Sequence, residues 1–229
     1  EAAQAARGWA RTTGHLRGQV LYYLAENLSA RAGELAGRLR DLTGRRGEAE
    51  VEAAIRRLFT WAAWADKHEG AVKGVPLRGL ALAIPEPVGV VGALLPDEAP
   101  LLGLVSVMGP LVAMGNTCVL VPSEPFPLAA TDFYQLLDTS DVPGGVVNIV
   151  TGSHAELGKV LAGHMDVDAV WSFSSSDISG MIEREATSNL KRTWVNHGRG
   201  RDWFGPEGEG RAFRDAATEV KTIWVPYGE

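Results

Sequence analysis

The chain has 229 residues, 45% of them hydrophobic and 22% charged, which is the balance of an ordinary folded protein with room for one good core or two modest ones, not of a disordered chain. A formal charge of -6 argues against a nucleic-acid surface, which needs a clustered basic excess to displace counterions, so no nucleic-acid partner is expected. A single cysteine, Cys118, excludes an internal disulfide and fits a reducing compartment, and a cytoplasmic location is the expectation.

The first residue is Glu1 and no signal peptide is visible, which reads as a part excised from a longer protein. Ten arginines against seven acids fall in the first 57 residues, and on periodic helices this reads as a solvated face. Leu16, Val20, Tyr23, Leu24 and Leu28 keep the spacing of one helix face, and Leu35, Leu39 and Leu42 keep that of a second. A third helix is predicted over 48–68, striped by Val51, Ala54, Ile55, Leu58, Ala62 and Ala65 and ended by Gly70.

From Val75 the texture turns to β-type runs: a strand over 75–84, a turn at Pro85-Glu86-Pro87, and a strand over 88–95. Residues 99–123 carry no charge, but Gly103, Gly109, Pro110, Gly115 and Asn116 divide them into helix, turn and strand. They read as buried core, with no membrane span. Further strands are predicted at 117–121, 146–150, 167–173 and 192–196, separated by helices near 100–114, 127–137, 154–162 and 177–187. Apolar strands alternating with helices mean a parallel sheet covered on both faces, the doubly wound α/β class. Residues 202–210 read as a glycine-rich linker, followed by a helix over 211–218 and a last strand over 220–225. The expected domains are residues 1–200, including a hairpin at about 75–87, and a tail over 201–229.

Five motifs then recur in order: Glu86-Pro87-Val88-Gly89-Val90-Val91-Gly92, Gly115-Asn116-Thr117-Cys118-Val119-Leu120, Val142-Pro143-Gly144-Gly145-Val146-Val147-Asn148 with Thr151-Gly152, Val167-Asp168, and Ser188-Asn189-Leu190-Lys191-Arg192. Together they resemble the aldehyde dehydrogenase superfamily, collinear over about residues 9–201. The ending Val220-Lys221-Thr222 is similar to that family's closing oligomerisation strand. The resemblance implies a Rossmann-like nucleotide-binding domain with N-terminal helices and a small β oligomerisation element.

The resemblance also implies what is lost. The catalytic half of the family, with its nucleophilic cysteine, belongs in an interval that is here only residues 200–219, and Cys118 maps to a buried strand. The oxyanion asparagine of the family's Pro-Trp-Asn-Phe-Pro loop falls on Glu98 in Pro96-Asp97-Glu98-Ala99-Pro100, and a carboxylate there repels an oxyanion. The general-base glutamate falls on Asn196, which cannot accept a proton, while His197 beside it reads as structural or solvent-facing. No catalytic residue is expected.

For the cofactor, Val121-Pro122-Ser123-Glu124 keeps the acid of the family's ribose-binding motif without its lysine. Ser174-Ser175-Ser176-Asp177-Ile178-Ser179 replaces both glycines of its pyrophosphate turn, and reads equally as a helix N-cap. Glu124, Ser174 and Ser175 are therefore weak cofactor positions; the expectation is no cofactor, or NAD held weakly, and no metal. The pattern is most like the second, non-catalytic domain of a two-domain family 16 aldehyde dehydrogenase. That implies a structural or assembly role within a larger NAD-dependent enzyme that oxidises aldehydes to carboxylates. The expected partner is its catalytic module or a second copy, engaged through Val220, Thr222, Ile223 and Trp224. A nucleotide- or anion-sensing module is the alternative.

Overall fold

The computed structural model describes residues 1–76 and 78–227, so Leu77, within the 75–84 run, and Gly228 and Glu229, at the end of the expected tail, lie outside the described residues. The helical start comprises α1 (Ala2–Ala10), α2 (Gly14–Ala30), α3 (Ala32–Thr43) and α4 (Glu48–Trp64). Thr13 caps α2 by accepting from Leu16 N at 3.2 Å. The predicted third helix is α4, which ends at Trp64 rather than 68 because residues 65–67 form a turn. Periodicity does not reveal α1: its buried residues are only Ala2 and Trp9. Trp9 anchors it by donating its indole N–H to the Val112 carbonyl at 3.1 Å.

The principal sheet contains β3 (Val90–Leu94), β4 (Thr117–Val121), β5 (Val147–Ile149), β6 (Ala169–Ser172) and β7 (Arg192–Val195), all parallel, in the order β5-β4-β3-β6-β7. The crossovers are α5 (Pro100–Ala113), α6 (Pro127–Asp138), α7 (His154–Gly163) and α8 (Ser176–Ala186). One sheet face, with Val91, Ala93, Cys118, Leu120 and Trp171, packs into a core shared with α5, α2 and α4. The opposite face, with Val90, Leu94, Val121 and Val170, meets Leu161, Ala162 and Ile182 of α7 and α8. Every residue of α5 is buried, so the uncharged run is a helix enclosed by protein. Glu50 of α4 caps it, accepting from Leu101 N at 2.8 Å and Leu102 N at 3.1 Å, and burial raises that carboxyl above its ordinary value.

The five motifs turn out to be joints. Gly89 has φ +127°, and a Cβ there would lie 2.2 Å from Asp168 Oδ2, because that carboxylate accepts from Val90 N at 2.8 Å. Asn116 is wholly buried; its Oδ1 accepts from Gly89 N at 3.0 Å and its amide donates to the carbonyls of Leu111 and Ala217. Asn148 donates to the Cys118 and Gly145 carbonyls. Lys191 donates to the carbonyls of Leu161, His164 and Val167, closing the end of α7.

A second, antiparallel sheet combines β1 (Ala71–Lys73), β2 (Gly79–Pro87) and β8 (Thr218–Pro226) in the order β1-β2-β8. Two sequence expectations are corrected here. The strand expected over 75–84 begins at Gly79, after β1 and a short connection. Pro85-Glu86-Pro87 is no turn: β2 runs straight through it, pairing Pro85 with Val220 and Pro87 with Thr218. The prolines are tolerated because β1 pairs no further than Ala83, leaving β2 with a single neighbour along that stretch.

Residues 202–210 are not a free tether. Trp203 is buried, Pro206–Gly208 forms a 3-10 turn, and α9 (Arg211–Ala217) places Phe213 in the main core. Arg57, buried on α4, binds this segment: Nε pairs with Glu209 Oε2 at 2.9 Å, NH2 donates to the Trp203 carbonyl at 2.9 Å, and NH1 donates to Ser106 Oγ and the Gly208 carbonyl. Trp203 and Phe213 join Phe173 and Trp194 in an aromatic cluster, with ring centroids 5.0 Å apart for Trp194–Phe213 and 5.1 Å apart for Phe173–Trp203. The Arg201 guanidinium lies over all four rings, 5.3–5.8 Å from their centroids.

Candidate functional site

In a doubly wound sheet the loops that follow the strands meet at their carboxyl ends, and a ligand crevice forms there. The loops after β3, β6 and β7 bring Glu98, Ser174, Ser175 and Asn196 to one cavity of about 240 Å³, which His154 and Arg199 also line. Four of the sequence-derived positions are thus neighbours, although 98 residues separate Glu98 from Asn196 along the chain. Glu124, after β4, reaches the same region by accepting from His154 N at 2.5 Å, a hydrogen bond that caps the start of α7.

Several of these groups are engaged in local structure or lie in solvent. Glu98 is exposed and its backbone carbonyl takes a hydrogen bond from Arg45. Asn196 is used within its own turn: Nδ2 donates to the Arg199 carbonyl at 2.9 Å and Oδ1 accepts from Gly198 N at 3.2 Å. His197 is 44% exposed, with Nε2 3.5 Å from Glu183 Oε1. Cys118 is fully buried, and desolvation pushes its thiol up to about 12, so it supplies no thiolate near neutral pH.

Ser175 is the N-cap of α8, accepting from Ile178 N at 3.3 Å. The turn after β7 folds down onto the same helix start. Gly198 N donates to the Ser174 carbonyl at 3.1 Å, His197 N donates to Ser179 Oγ at 3.2 Å, and a Cβ on Gly198 would lie 3.2 Å from Ser176 N. The turn after β7 therefore packs against one side of the start of α8, where Ser175, Ser176 and Asp177 stay exposed. Sequence reasoning missed His154. Its Nε2 donates to the Pro122 carbonyl at 2.8 Å and its Nδ1 pairs with Ser174 Oγ at 3.1 Å, locking the loops after β4 and β6 together. Only its position just after the Ser153 cap marks it, and that signal reports a helix start.

The β1-β2-β8 sheet is the other distinctive surface. Leu80, Leu82, Ile84, Ile223 and Val225 share one face with Val72, while Val220, Thr222 and Trp224 share the other with Ala81, Ala83 and Pro85. Val220 and Trp224 are 66% and 57% exposed, and among the described residues β8 pairs only with β2. Lys221 pairs with Glu86 across the strands at 3.0 Å, and Arg192 of β7 holds Glu219 at 2.7 Å.

Residues 1–201 match the family model described as the aldehyde dehydrogenase family. The chain belongs to the aldehyde dehydrogenase family. It is 35% identical over 217 residues to the NADP/NAD-dependent aldehyde dehydrogenase PuuC of Escherichia coli, covering 86% of this chain and 42% of that protein. It is 32% identical over 222 residues to an aldehyde dehydrogenase of Agaricus bisporus, covering 94% of this chain and 43% of the relative. Among solved structures, apo indole-3-acetaldehyde dehydrogenase superposes with a TM-score of 0.82 at 32% identity, over 87% of this chain and 48% of that one. Apo betaine aldehyde dehydrogenase of Staphylococcus aureus gives 0.81 at 27%, over 85% and 40%. This family member thus spans less than half the length of the relatives it matches. Among the described residues no cluster of His, Cys, Asp or Glu is placed to hold a metal, and no helix is long and apolar enough to cross a membrane.

Proposed function

We propose that this chain is a non-catalytic aldehyde dehydrogenase module with an assembly role, cytoplasmic, and part of a larger NAD-dependent enzyme whose catalytic module oxidises aldehydes to carboxylates. The observation that carries this reading is the β1-β2-β8 sheet. A three-stranded sheet with two largely solvated faces is marginal in isolation, and a free edge rich in apolar side chains favours pairing with another chain. Val220, Thr222, Ile223 and Trp224 on that edge are the contact residues proposed, with the catalytic module or a second copy as the partner. The crevice supports the negative half of the reading. It offers a carboxylate at the oxyanion position, an amide already engaged in a turn, and no thiolate.

The dinucleotide that the family implies does not fit these residues. Val121 supplies no ribose-binding amine, Glu124 is engaged as a helix cap, and 240 Å³ is below the roughly 300 Å³ at which small-ligand pockets begin. The test is light scattering of the purified chain beside a form ending at Thr218 and a Trp224→Glu variant. Association of the intact chain with itself or with an aldehyde dehydrogenase catalytic module, lost in both altered forms, is the expected result. Equal masses and equal partner binding for all three would overturn the assembly role.

A further inference from the structure

We infer that the cavity between the turn after β7 and the 206–212 segment is a binding site for a small polyanion of the phosphate or tricarboxylate class. This site adjoins the crevice, with Asn196 and Arg199 in the walls of both, and it does not rest on the assembly reading. Arg199, Arg201 and Arg211 line a space of about 530 Å³, with Glu207 the one carboxylate in its wall. In a chain with 28 acids against 22 lysines and arginines, three guanidinium groups gathered on one concavity are a local reversal of charge, and their mutual repulsion is relieved by a bound anion.

The state of each arginine supports the assignment. Arg201 is fixed by its aromatic seat, and its only hydrogen bond among the described residues is from NH1 to the Glu207 carbonyl at 2.6 Å. It forms no ion pair among the described residues; partial burial lowers its pKa, and the nearby Glu207 carboxylate offsets only part of that effect. The aromatic faces compensate one side of the guanidinium plane and leave its remaining donors free for bidentate recognition. The Arg199 side chain forms neither a hydrogen bond nor an ion pair among the described residues; its backbone N–H donates to the Asn196 carbonyl and its carbonyl accepts from Asn196 Nδ2. Arg211 uses Nε on Asp215 at 2.9 Å and is 80% exposed, so its terminal nitrogens remain available. Val195 and Pro206 give the same cavity an apolar wall for the uncharged part of such a molecule. Its volume falls within the range of small-ligand pockets, which that of the crevice does not.

Titration of the full chain with pyrophosphate, ADP and citrate, in separate arms at low salt, tests the site. Trp194 and Trp203 lie 5.4 and 5.8 Å from the Arg201 guanidinium carbon, so intrinsic fluorescence reports occupancy, with calorimetry as the second readout. Saturable binding is expected in at least one arm, weakened about tenfold or more by Arg199→Gln and by Arg211→Gln, each with an unchanged melting temperature. Preference for pyrophosphate and ADP identifies the phosphate class, and preference for citrate identifies the tricarboxylate class. No saturable signal from any probe at about 10 mM, or affinities that neither substitution alters, overturns the site.

Discussion

Arg57 offers the sharpest test of what holds residues 202–210 against the core. Arg57→Met keeps most of the side-chain volume but removes every hydrogen bond that Arg57 donates to the 203–209 segment. The Trp203 carbonyl, the Gly208 carbonyl and Ser106 Oγ each lose a partner. A buried acceptor left unsatisfied costs about 1–3 kcal/mol, and removing a desolvated cation returns part of that, so the net expected loss is about 2–4 kcal/mol. Glu209 adds little, since its side chain is 42% exposed and rehydrates; Glu209→Gln should cost under about 1 kcal/mol. For a chain of this size the Arg57 change lowers the melting temperature by about 5–15 °C. Urea unfolding gives the global value, and amide hydrogen exchange over residues 202–210 gives the local one. A loss under about 1 kcal/mol, with exchange over 202–210 unchanged, refutes the idea that Arg57 holds this segment in place.

The unfolded Cys118 thiol ionises near its ordinary value of 9.0 and the folded one only near 12, so its contribution to stability is intact below pH 9 and is lost as pH rises towards 12. Denaturation at pH 8 and pH 10 should show about 1 kcal/mol more loss in the native chain than in Cys118→Ala; equal losses contradict it. Gly89→Ala places a methyl against Asp168 at a positive φ and is expected to cost about 3 kcal/mol or more, read as melting temperature or soluble yield. Calorimetry with NAD should give no binding tighter than about 1 mM, and an absorbance assay no NADH from simple aldehydes; micromolar NAD binding contradicts the reading of the crevice.

The doubly wound sheet was legible because its strands are short apolar runs set between helices with recognisable starts, such as Ser153 and Ser175. The site was legible only as a set of positions. Glu98, Ser174, Ser175 and Asn196 can be placed at the crevice by alignment to strand ends, but that Asn196 folds its amide into its own turn depends on backbone torsions that no spacing reports. His154 escaped because its partners, Pro122 and Ser174, are 32 and 20 residues away. The Pro-Glu-Pro sequence misled for a different reason. Proline signals a turn locally, and only knowing that β1 stops pairing at Ala83 shows that the strand can continue through it. Residues 202–210 look like a linker by glycine and charge content, while Trp203 and the Arg57 contacts that pack them come from tertiary structure.

The motifs that carry the family resemblance and the residues that would carry its chemistry have separate physical fates here. Gly89, Asn116, Asn148, Asp168 and Lys191 each bind backbone groups of two or more elements, or make room for a residue that does, so replacing any one unsatisfies buried polar groups or introduces a clash. These positions are required by the fold whatever the protein does. Glu98 is exposed in the loop after β3 and the Asn196 side chain binds only within its own turn, so neither side chain ties elements of the sheet together and a change there leaves the sheet standing. Changes at the crevice are therefore compatible with a fully specified parallel sheet. Residues 202–210 are held by the same kind of contact, a buried donor on backbone carbonyls, with Arg57 as the clearest case.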